Sequence, residues 1–252
     1  SSTTASIVKK SLTATATASN KIYNGYATAT TTLSFSGVVG SETLGQSVSS
    51  TFNNKNVGTG KTVTVNSITL SDGSNGGVAS NYSISSGQTT TANITAKALT
   101  VSGITASNKT YDGNTVVTLD LTGTSYSGLV SGDDVSISAS GSFDNKNVGT
   151  GKTVNISSSY SGSDVGNYSI TDQATTTANI TASVSGITVR GITASNKTYD
   201  GNNSATLDTS NVSYSGLVEG DDVTGSFSGT FSNANAVSYT HLTLPTNLSV
   251  VL

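Results

Sequence analysis

The stretch "NKNVGTGKTV" at residues 145–154, with an identical copy at residues 54–63, decides between two different folds. A loop that cradles phosphate needs a glycine five positions before its Gly-Lys pair, and a helix must follow it. Lys55 and Lys146 occupy that glycine position in the two copies. The residues that follow, "KTVTV" and "KTVNI", are β-branched and alternate between polar and apolar. The stretch therefore predicts a turn that leads into a β-strand, and no nucleotide site.

Longer repeats surround this stretch. "ASNKIYNG" starts at Ala18, and "ASNKTYDG" starts at Ala106 and again at Ala194, at a constant spacing of 88 residues. A fixed period of this length predicts tandem modules, each large enough to be a small domain. The predicted divisions are an N-terminal remnant of a preceding unit or linker (1–11), repeat 1 (12–97), repeat 2 (98–184), an incomplete repeat 3 (185–236) and a tail (237–252).

Within repeat 2, apolar and polar residues alternate along several short segments, which is the signature of strands with one buried face. The apolar positions of this pattern are Val117, Leu119, Leu121, Val135, Ile137, Ala139, Phe143, Val154, Ile156, Ala178 and Ile180. We predict about seven short strands per repeat and an all-β fold of tandem immunoglobulin-like sandwiches. A β-grasp-like unit is the alternative. Because "TTTANITAKALTVSGITASNK" contains no proline, the junction should be short and stiff, and the units should form an end-to-end rod.

A second sandwich signal is "DVGNYSI" at residues 164–170. An Asp-x-Gly-x-Tyr stretch forms the tyrosine corner of immunoglobulin-like domains, in which the hydroxyl bonds back to the nearby chain. We therefore predict that Tyr168 forms such a corner and that Ile170 enters the core. Repeat 1 retains only "SNYSI", with Tyr82 at the same place.

The "YDG" triplets are predicted to be turns in which the glycine adopts a positive φ and the preceding Asp tolerates it. The tyrosines should be packing residues with a bonded hydroxyl, although an exposed, sugar-stacking ring is the alternative. The residues concerned are Tyr23, Tyr111, Asp112, Gly113, Tyr199, Asp200 and Gly201.

Two adjacent acid pairs could bind calcium, which requires six to eight oxygen ligands. They are Asp133 with Asp134, and Asp221 with Asp222. Because neighbours along a strand point to opposite faces, each pair is interpreted as a polar turn, and no metal site is predicted.

The composition of the chain disfavours several classes of function. Only 10% of the 252 residues are charged, the net charge is −3, and 33% are hydrophobic, which indicates a thin core and disfavours nucleic acid as a partner. The chain has no cysteine, which excludes disulfides and thiolate metal sites. The only histidine is His241, so no Ser-His-Asp arrangement is expected within the repeats. We expect neither an enzyme nor a cofactor, and no membrane insertion by these residues.

The repeat register stops at Ala236. His241 and Pro245, the only histidine and the only proline, both follow that point. "VSYTHL" resembles the translated end of a transposon-based sequencing adapter of the kind found in metagenome assemblies. Residues 237–252 are therefore predicted to be non-native, which would leave repeat 3 incomplete.

Five motifs in a fixed order carry a family resemblance: "SNKTYDGN", "YSGLVSGDDV", "FDNKNVGTGKTV", "GNYSI" and "TTTANITA". Over residues 12–236 the chain resembles the YDG repeats of bacterial surface adhesins, the filamentous haemagglutinin-like proteins. The first copy departs from the pattern, with "YNG" at residues 23–25 and "GSET" at residues 40–43.

The resemblance implies an exported protein of the bacterial cell surface. The expected function is a structural stalk that projects a head domain, and the expected partners are the neighbouring repeats of the same chain. The alternative is that the repeats themselves bind glycans or host matrix weakly and gain strength through avidity.

Overall fold

The computed structural model describes residues 3–183, 186–236, 242–243 and 246–250, the last two ranges by their backbone alone. Within these residues the chain is all-β, with 28 strands and two single-turn 3₁₀ segments at Ala79–Asn81 and Val165–Asn167.

The strands fall into three successive sets, one for each repeat. The first set is β1 (Lys10–Ser11), β2 (Thr13–Ala18), β3 (Lys21–Ile22), β4 (Thr28–Ala29), β5 (Thr31–Ser36), β6 (Leu44–Phe52), β7 (Gly58–Asp72), β8 (Tyr82–Ser83) and β9 (Thr89–Thr95). The second is β10 (Lys97–Ser102), β11 (Thr105–Ala106), β12 (Lys109–Thr110), β13 (Val116–Val117), β14 (Leu119–Asp120), β15 (Ser125–Ser127), β16 (Ser136–Phe143), β17 (Gly149–Ser161), β18 (Tyr168–Thr171) and β19 (Thr175–Thr181). The third is β20 (Thr188–Arg190), β21 (Thr193–Ala194), β22 (Ser204–Ala205), β23 (Leu207–Asp208), β24 (Ser213–Ser215), β25 (Val223–Phe227), β26 (Gly229–Phe231), β27 (Leu242–Thr243) and β28 (Thr246–Val250).

The chain divides into two compact units that do not follow the sequence repeats. Unit 1 consists of Ser1–Gly103, Gly123–Ala139 and Ser158–Gln173, and unit 2 consists of Ile104–Thr122, Ser140–Ser157 and Ala174–Leu252. Repeat 2 therefore contributes residues to both units, whereas repeat 1 belongs entirely to unit 1.

Unit 1 contains a five-stranded sheet in the order β3-β9-β7-β6-β4 and a three-stranded sheet in the order β15-β10-β18, together with the pairs β1-β8 and β2-β5. Pairing is antiparallel except for β3 with β9, β1 with β8 and β10 with β18. Both larger sheets contribute to one core of buried side chains, namely Tyr23, Phe52, Val63, Ala92, Ile94, Leu99 and Tyr168. Strands from repeats 1 and 2 thus share this core.

Unit 2 contains a second five-stranded sheet, in the order β12-β19-β17-β16-β13. Its core residues are Tyr111, Val117, Phe143, Val154, Ala178 and Ile180, and the repeat 3 residue Val218 packs against them. Except for Tyr111, the six belong to the apolar face that the alternating sequence pattern predicted, so the alternation correctly located the buried side of these strands.

The stretch "NKNVGTGKTV" contains a turn followed by a strand, as predicted, but its glycines lie in the strand and not in the turn. Gly58 already begins β7, and the pairing of β7 with β9 shifts register between Gly58 and Lys61. Gly60 has φ +58°, and its N–H donates to Asn93 Oδ1 at 2.8 Å. The glycines therefore form a β-bulge inside a long strand. The turn lies before them, where the Asn56 N–H donates to Asn54 Oδ1 at 3.0 Å.

The predicted non-native tail, 237–252, lies mostly outside the described residues, together with His241 and Pro245. Two of its segments are described as strands. β27 pairs with β26, and β28 pairs with β25, both antiparallel. The origin of this segment stays a prediction.

Candidate functional site

A buried carboxylate, that of Asp133, forms the centre of a polar cluster in unit 1. Its side chain is 4% exposed. The hydroxyls of Tyr23 and Tyr168 both donate to Oδ2, at 2.8 and 2.5 Å, and Lys55 Nζ lies 3.2 Å from Oδ1. Two hydroxyls and one ammonium group therefore replace the water that this carboxylate would bind in solution.

Lys55 connects this centre to a second acid. Its Nζ lies 2.8 Å from Asp164 Oδ1 and 5.9 Å from the centre of the Tyr23 ring. The rings of Tyr23 and Tyr168 meet edge to face, with centroids 5.6 Å apart. Because the Lys55 side chain is 38% exposed, the cluster reaches the surface on this side.

A short turn positions the carboxylate. The Asp133 N–H donates to the Val130 carbonyl at 3.1 Å, and the Val130 N–H donates to the Tyr168 hydroxyl at 3.0 Å. The prediction of a tyrosine corner is therefore wrong about the partner of the hydroxyl. The Tyr168 hydroxyl bonds to Val130, 38 residues upstream, and not to the chain next to the tyrosine. Ile170 packs against the core at its margin, as a partly buried residue.

Unit 2 contains a related cluster around Asp221, whose side chain is 5% exposed. The Tyr111 hydroxyl donates to Oδ1 at 2.5 Å, and Lys146 Nζ lies 2.9 Å from the same atom. Lys146 is also 5.9 Å from the centre of the Tyr111 ring. The three residues correspond to Tyr23, Lys55 and Asp133 of unit 1.

The glycines of the triplets have a packing role in addition to a backbone one. Gly25 and Gly113 have φ +83° and +81°. A Cβ added at Gly25 would lie 2.8 Å from Val130 Cγ1, and one added at Gly113 would lie 2.9 Å from Val218 Cγ1. The valine that starts the aspartate turn therefore packs directly on the glycine of the triplet. Gly201 has the same φ, +81°, and no atom within 4 Å of such a Cβ.

Each cluster joins consecutive sequence repeats. The tyrosine and the lysine come from one repeat and the aspartate from the next, at a tyrosine-to-aspartate separation of 110 residues in both cases. The sequence signal that could have identified this pairing is the recurrence of "GDD" one repeat after each tyrosine triplet, "YNG" or "YDG", that is followed by "NKN". The recurrence by itself does not indicate a hydrogen bond or an ion pair between these residues, because the motifs come together only in the folded chain.

The interpretation of the acid pairs as polar turns is therefore correct for the backbone but wrong for the first acid of each pair. The backbone turns there, but the first acid of each pair is a buried anion. The second acid of the unit 1 pair, Asp134, accepts a hydrogen bond from the Ser163 N–H at 3.0 Å. Among the described residues, no group of three or more His, Cys, Asp or Glu side chains is arranged to hold a metal.

The remaining motif residues lie on the surface. Asp112 pairs with Lys109 at 2.6 Å, and Asp200 pairs with Lys197 at 2.7 Å, each three residues apart in the chain. Tyr199, the third tyrosine of the motif, is 65% exposed, in contrast to Tyr23 at 1% and Tyr111 at 7%. The second and third copies are thus identical in sequence and differ in the burial of their tyrosine.

The cluster shifts the acid–base equilibria of its members. Burial opposes ionisation of Asp133, but the hydrogen bonds from Tyr168, Tyr23 and Lys55 prevail and lower its pKa. The bond to Asp164 is the main reason that the pKa of Lys55 is raised. Burial, followed by the bond to Asp133, raises the pKa of Tyr168 to about 12. In unit 2, the bonds from Tyr111 and Lys146 lower the pKa of Asp221.

Comparison with protein families gives one assignment. The YDG domain matches the chain three times, over residues 8–92, 95–178 and 183–250. The chain belongs to the YDG domain family. Within this YDG protein, the second match contributes Asp133 and Tyr168 to the cluster of unit 1, and Tyr111 and Lys146 to the cluster of unit 2. Comparison with curated proteins and with solved structures gave no match.

The described part of this YDG chain contains no helix long and apolar enough to cross a lipid bilayer.

We expect Tyr111→Phe to destabilise unit 2 by about 1–2 kcal/mol, because it removes one hydrogen bond to a buried carboxylate and leaves the ring in place. Urea unfolding followed by tyrosine fluorescence measures the change. Tyr199→Phe is the matched control within the same unit and should change stability by less than about 0.5 kcal/mol, since that hydroxyl lies on an exposed side chain. Equal effects of the two substitutions would contradict the assigned role of Tyr111.

Stability should also depend on pH at both extremes. The pKa values of Asp133, Asp164 and Asp221 are lower in the folded protein than in the unfolded chain, so their contribution is complete above about pH 4 and is lost as the pH falls further. The raised pKa values of Tyr168 and Lys55 give the opposite sign, with a contribution lost above about pH 10. Urea midpoints measured from pH 2 to pH 12 should show a plateau between these limits. An Asp133→Asn variant should lose part of the acid-side dependence.

Proposed function

We propose that these YDG repeats are structural stalk repeats of a bacterial cell-surface adhesin, and that they hold a head domain away from the surface in an extended array of immunoglobulin-like sandwiches. The observation that carries this proposal is the pair of clusters in which one repeat supplies Tyr and Lys and the next supplies Asp. Repeats coupled in this way form a continuous array and do not behave as independent domains joined by flexible linkers.

The chemistry of the clusters suits a spacer. A buried carboxylate bound by one or two hydroxyls and an ammonium group tolerates little displacement, because every alternative position leaves a charge without a partner. Each cluster therefore fixes the register of one repeat on the next. A stalk benefits from such a fixed register, since a load on one repeat is passed to its neighbour instead of unfolding it alone.

The competing proposal, that the repeats themselves bind glycans or matrix through avidity, has less support from the tyrosines of the motif. Tyr23 and Tyr111 are buried and bonded to carboxylates, so their rings are not available for stacking on a sugar. Tyr199 is the exposed member of the three.

Single-molecule stretching of the full chain tests the stalk proposal. We expect the contour length to be released in two main steps that correspond to units 1 and 2, and Asp133→Asn should lower the force of the unit 1 step. Asp72→Asn is the control, because Asp72 is an exposed aspartate of the same unit and takes no part in the cluster.

Two further measurements distinguish the proposals. Small-angle X-ray scattering should give the profile of an elongated particle, and a glycan array displayed at high density should retain none of the chain. A compact scattering profile, or saturable glycan binding that the Asp133→Asn variant leaves intact, would overturn the stalk proposal.

A further inference from the structure

Repeat 1 contains a counterpart of the group formed by Asp133, Val130 and Tyr168, in which a glutamate replaces the aspartate. The Tyr82 hydroxyl donates to Glu42 Oε2, and the Val39 N–H donates to the Tyr82 hydroxyl at 3.0 Å. The Glu42 N–H closes the same turn onto the Val39 carbonyl, at 3.0 Å. These three residues reproduce the arrangement of Tyr168, Val130 and Asp133. The "GSET" variant of repeat 1 therefore keeps the carboxylate, supplied by a glutamate.

The strands next to Glu42 and Tyr82 also pair in the same way as those next to Asp133 and Tyr168. β1 pairs with β8 in parallel, with Lys10 opposite Tyr82, as β10 pairs with β18, with Lys97 opposite Tyr168. The two acceptor sites are thus equivalent in backbone as well as in side chains.

The two sites differ in what covers them. Val130 packs against the core of unit 1, and a Cβ on Gly25 would contact it. Val39, its counterpart, is 48% exposed. A cavity of about 350 Å³ opens beside Glu42 and Tyr82, and it is lined in part by Ile7 and Val8. At Asp133 the corresponding space is taken by Tyr23 and Lys55 of the other repeat.

The segment that borders the cavity repeats the sequence of a strand. "TTASIV" at residues 3–8 corresponds to "TTANIT" at residues 90–95, and each segment ends two positions before one of the equivalent lysines, Lys10 and Lys97. In β9 the equivalent apolar residues are buried in a five-stranded sheet, Ala92 at 5% and Ile94 at 1% exposure. Ile7 occupies the position of Ile94 and is fully exposed. The segment has the alternation of a strand without a sheet to cover it.

We propose that the Glu42–Tyr82 face is a docking site for the half of another YDG repeat that carries the triplet tyrosine and the "NKN" lysine. The tyrosine hydroxyl and the lysine ammonium bind Glu42 as Tyr23 and Lys55 bind Asp133. Residues 3–8 add to the sheet of the docked repeat as β9 adds to its own. The occupant is of the repeat 1 or repeat 2 type, since repeat 3 has Ala234 at the lysine position.

This inference deepens the repeat-to-repeat coupling of the proposed function, and it is tested at a site that takes no part in the two existing clusters. The test uses a four-repeat chain in which residues 1–96 are placed ahead of residues 10–252, so that the junction of Ala96 with Lys10 reproduces that of Ala96 with Lys97. Hydrogen exchange measured by mass spectrometry compares this chain with the three-repeat chain.

We expect the amides of residues 38–43 and 80–84 in the original repeat 1 to exchange at least tenfold more slowly in the four-repeat chain. Tyr23→Phe in the added repeat should remove much of this protection. Tyr26→Phe in the added repeat is the control and should not, because Tyr26 is 66% exposed. Tyr23→Phe keeps the ring, so the added repeat retains the apolar contacts it needs to fold.

A double-mutant cycle completes the test. Tyr23→Phe in the added repeat and Glu42→Gln in the original repeat should be coupled by more than tenfold in the opening equilibrium of residues 38–43. Unchanged exchange at this face in the four-repeat chain, or independent effects of the two substitutions, would overturn the docking site. Either result would leave the Asp133 and Asp221 clusters, and the stalk proposal, as they are. Loss of the force effect of Asp133→Asn, in contrast, would count against the stalk proposal alone.

Discussion

Replacement of Asp133 by alanine is expected to lower the free energy of unfolding of unit 1 by about 3 kcal/mol, the range found when one partner of a buried ion pair is removed. The substitution leaves the hydroxyls of Tyr23 and Tyr168 without their shared acceptor, in a region that the two sheets shield from water. Lys55 keeps Asp164 as a partner and is partly exposed, which prevents a larger loss.

Hydrogen exchange of the β7 and β9 amides measures this effect within unit 1, without the assumption that the whole chain unfolds in one step. Asp72→Ala is the matched control within unit 1, because Asp72 is an exposed aspartate that accepts a hydrogen bond from the Ala79 N–H at 2.7 Å, and its removal should cost less than about 1 kcal/mol. Asp133→Asn should fall between the two, since the amide keeps an acceptor oxygen but not the charge. A loss below about 1 kcal/mol for Asp133→Ala would show that the cluster does not hold the sheets together.

Gly113→Ala should destabilise unit 2 by about 2–4 kcal/mol. A positive φ of this kind costs an alanine roughly 1 kcal/mol relative to glycine. The new Cβ would also lie 2.9 Å from Val218 Cγ1, too close for an ordinary contact. Valine is stiff at χ1, so the side chain cannot rotate away cheaply, and overpacking of this sort adds about 1–3 kcal/mol.

Gly201→Ala separates the two contributions, because it lies in the same unit, has the same φ of +81°, and has no atom within 4 Å of the new Cβ. It should therefore cost only the backbone part, about 1 kcal/mol. Thermal unfolding of both variants measures the difference. If the two substitutions had equal effects, the contact between Val218 and the triplet glycine would contribute nothing to stability.

The strands could be predicted from the sequence because their signal is local. Phe143, Val154 and Ile180 fall on the apolar side of an alternation whose period is set by the pleat of the backbone, and all three are buried. The β-bulge at Gly60 was missed for the same reason. Its positive φ is visible as a glycine in the sequence, but a turn and a bulge both use such a glycine, and the distinction depends on the register with β9.

The clusters could not be predicted, because every side-chain partner of the Asp133 carboxylate comes from a distant part of the chain. "SGDD" contains two acids of equal appearance, and the pattern of the sequence does not show which of them is desolvated. The sequence also does not show which tyrosine is buried. Tyr199 and Tyr111 lie in identical motifs, but Tyr199 is 65% exposed and Tyr111 is 7% exposed.

The sequence by itself determined the period of the repeats, the all-β character, the membership of the YDG domain family and the buried face of the core strands in repeat 2. These properties follow from residue type and spacing within a few positions along the chain. Only the tertiary structure decided that the compact units cross the repeat boundaries, and that the tyrosine and lysine of one repeat bind the aspartate of the next. That outcome depends on the packing of two sheets from different repeats, because only their contact removes water from the carboxylate and makes its hydroxyl and ammonium partners necessary.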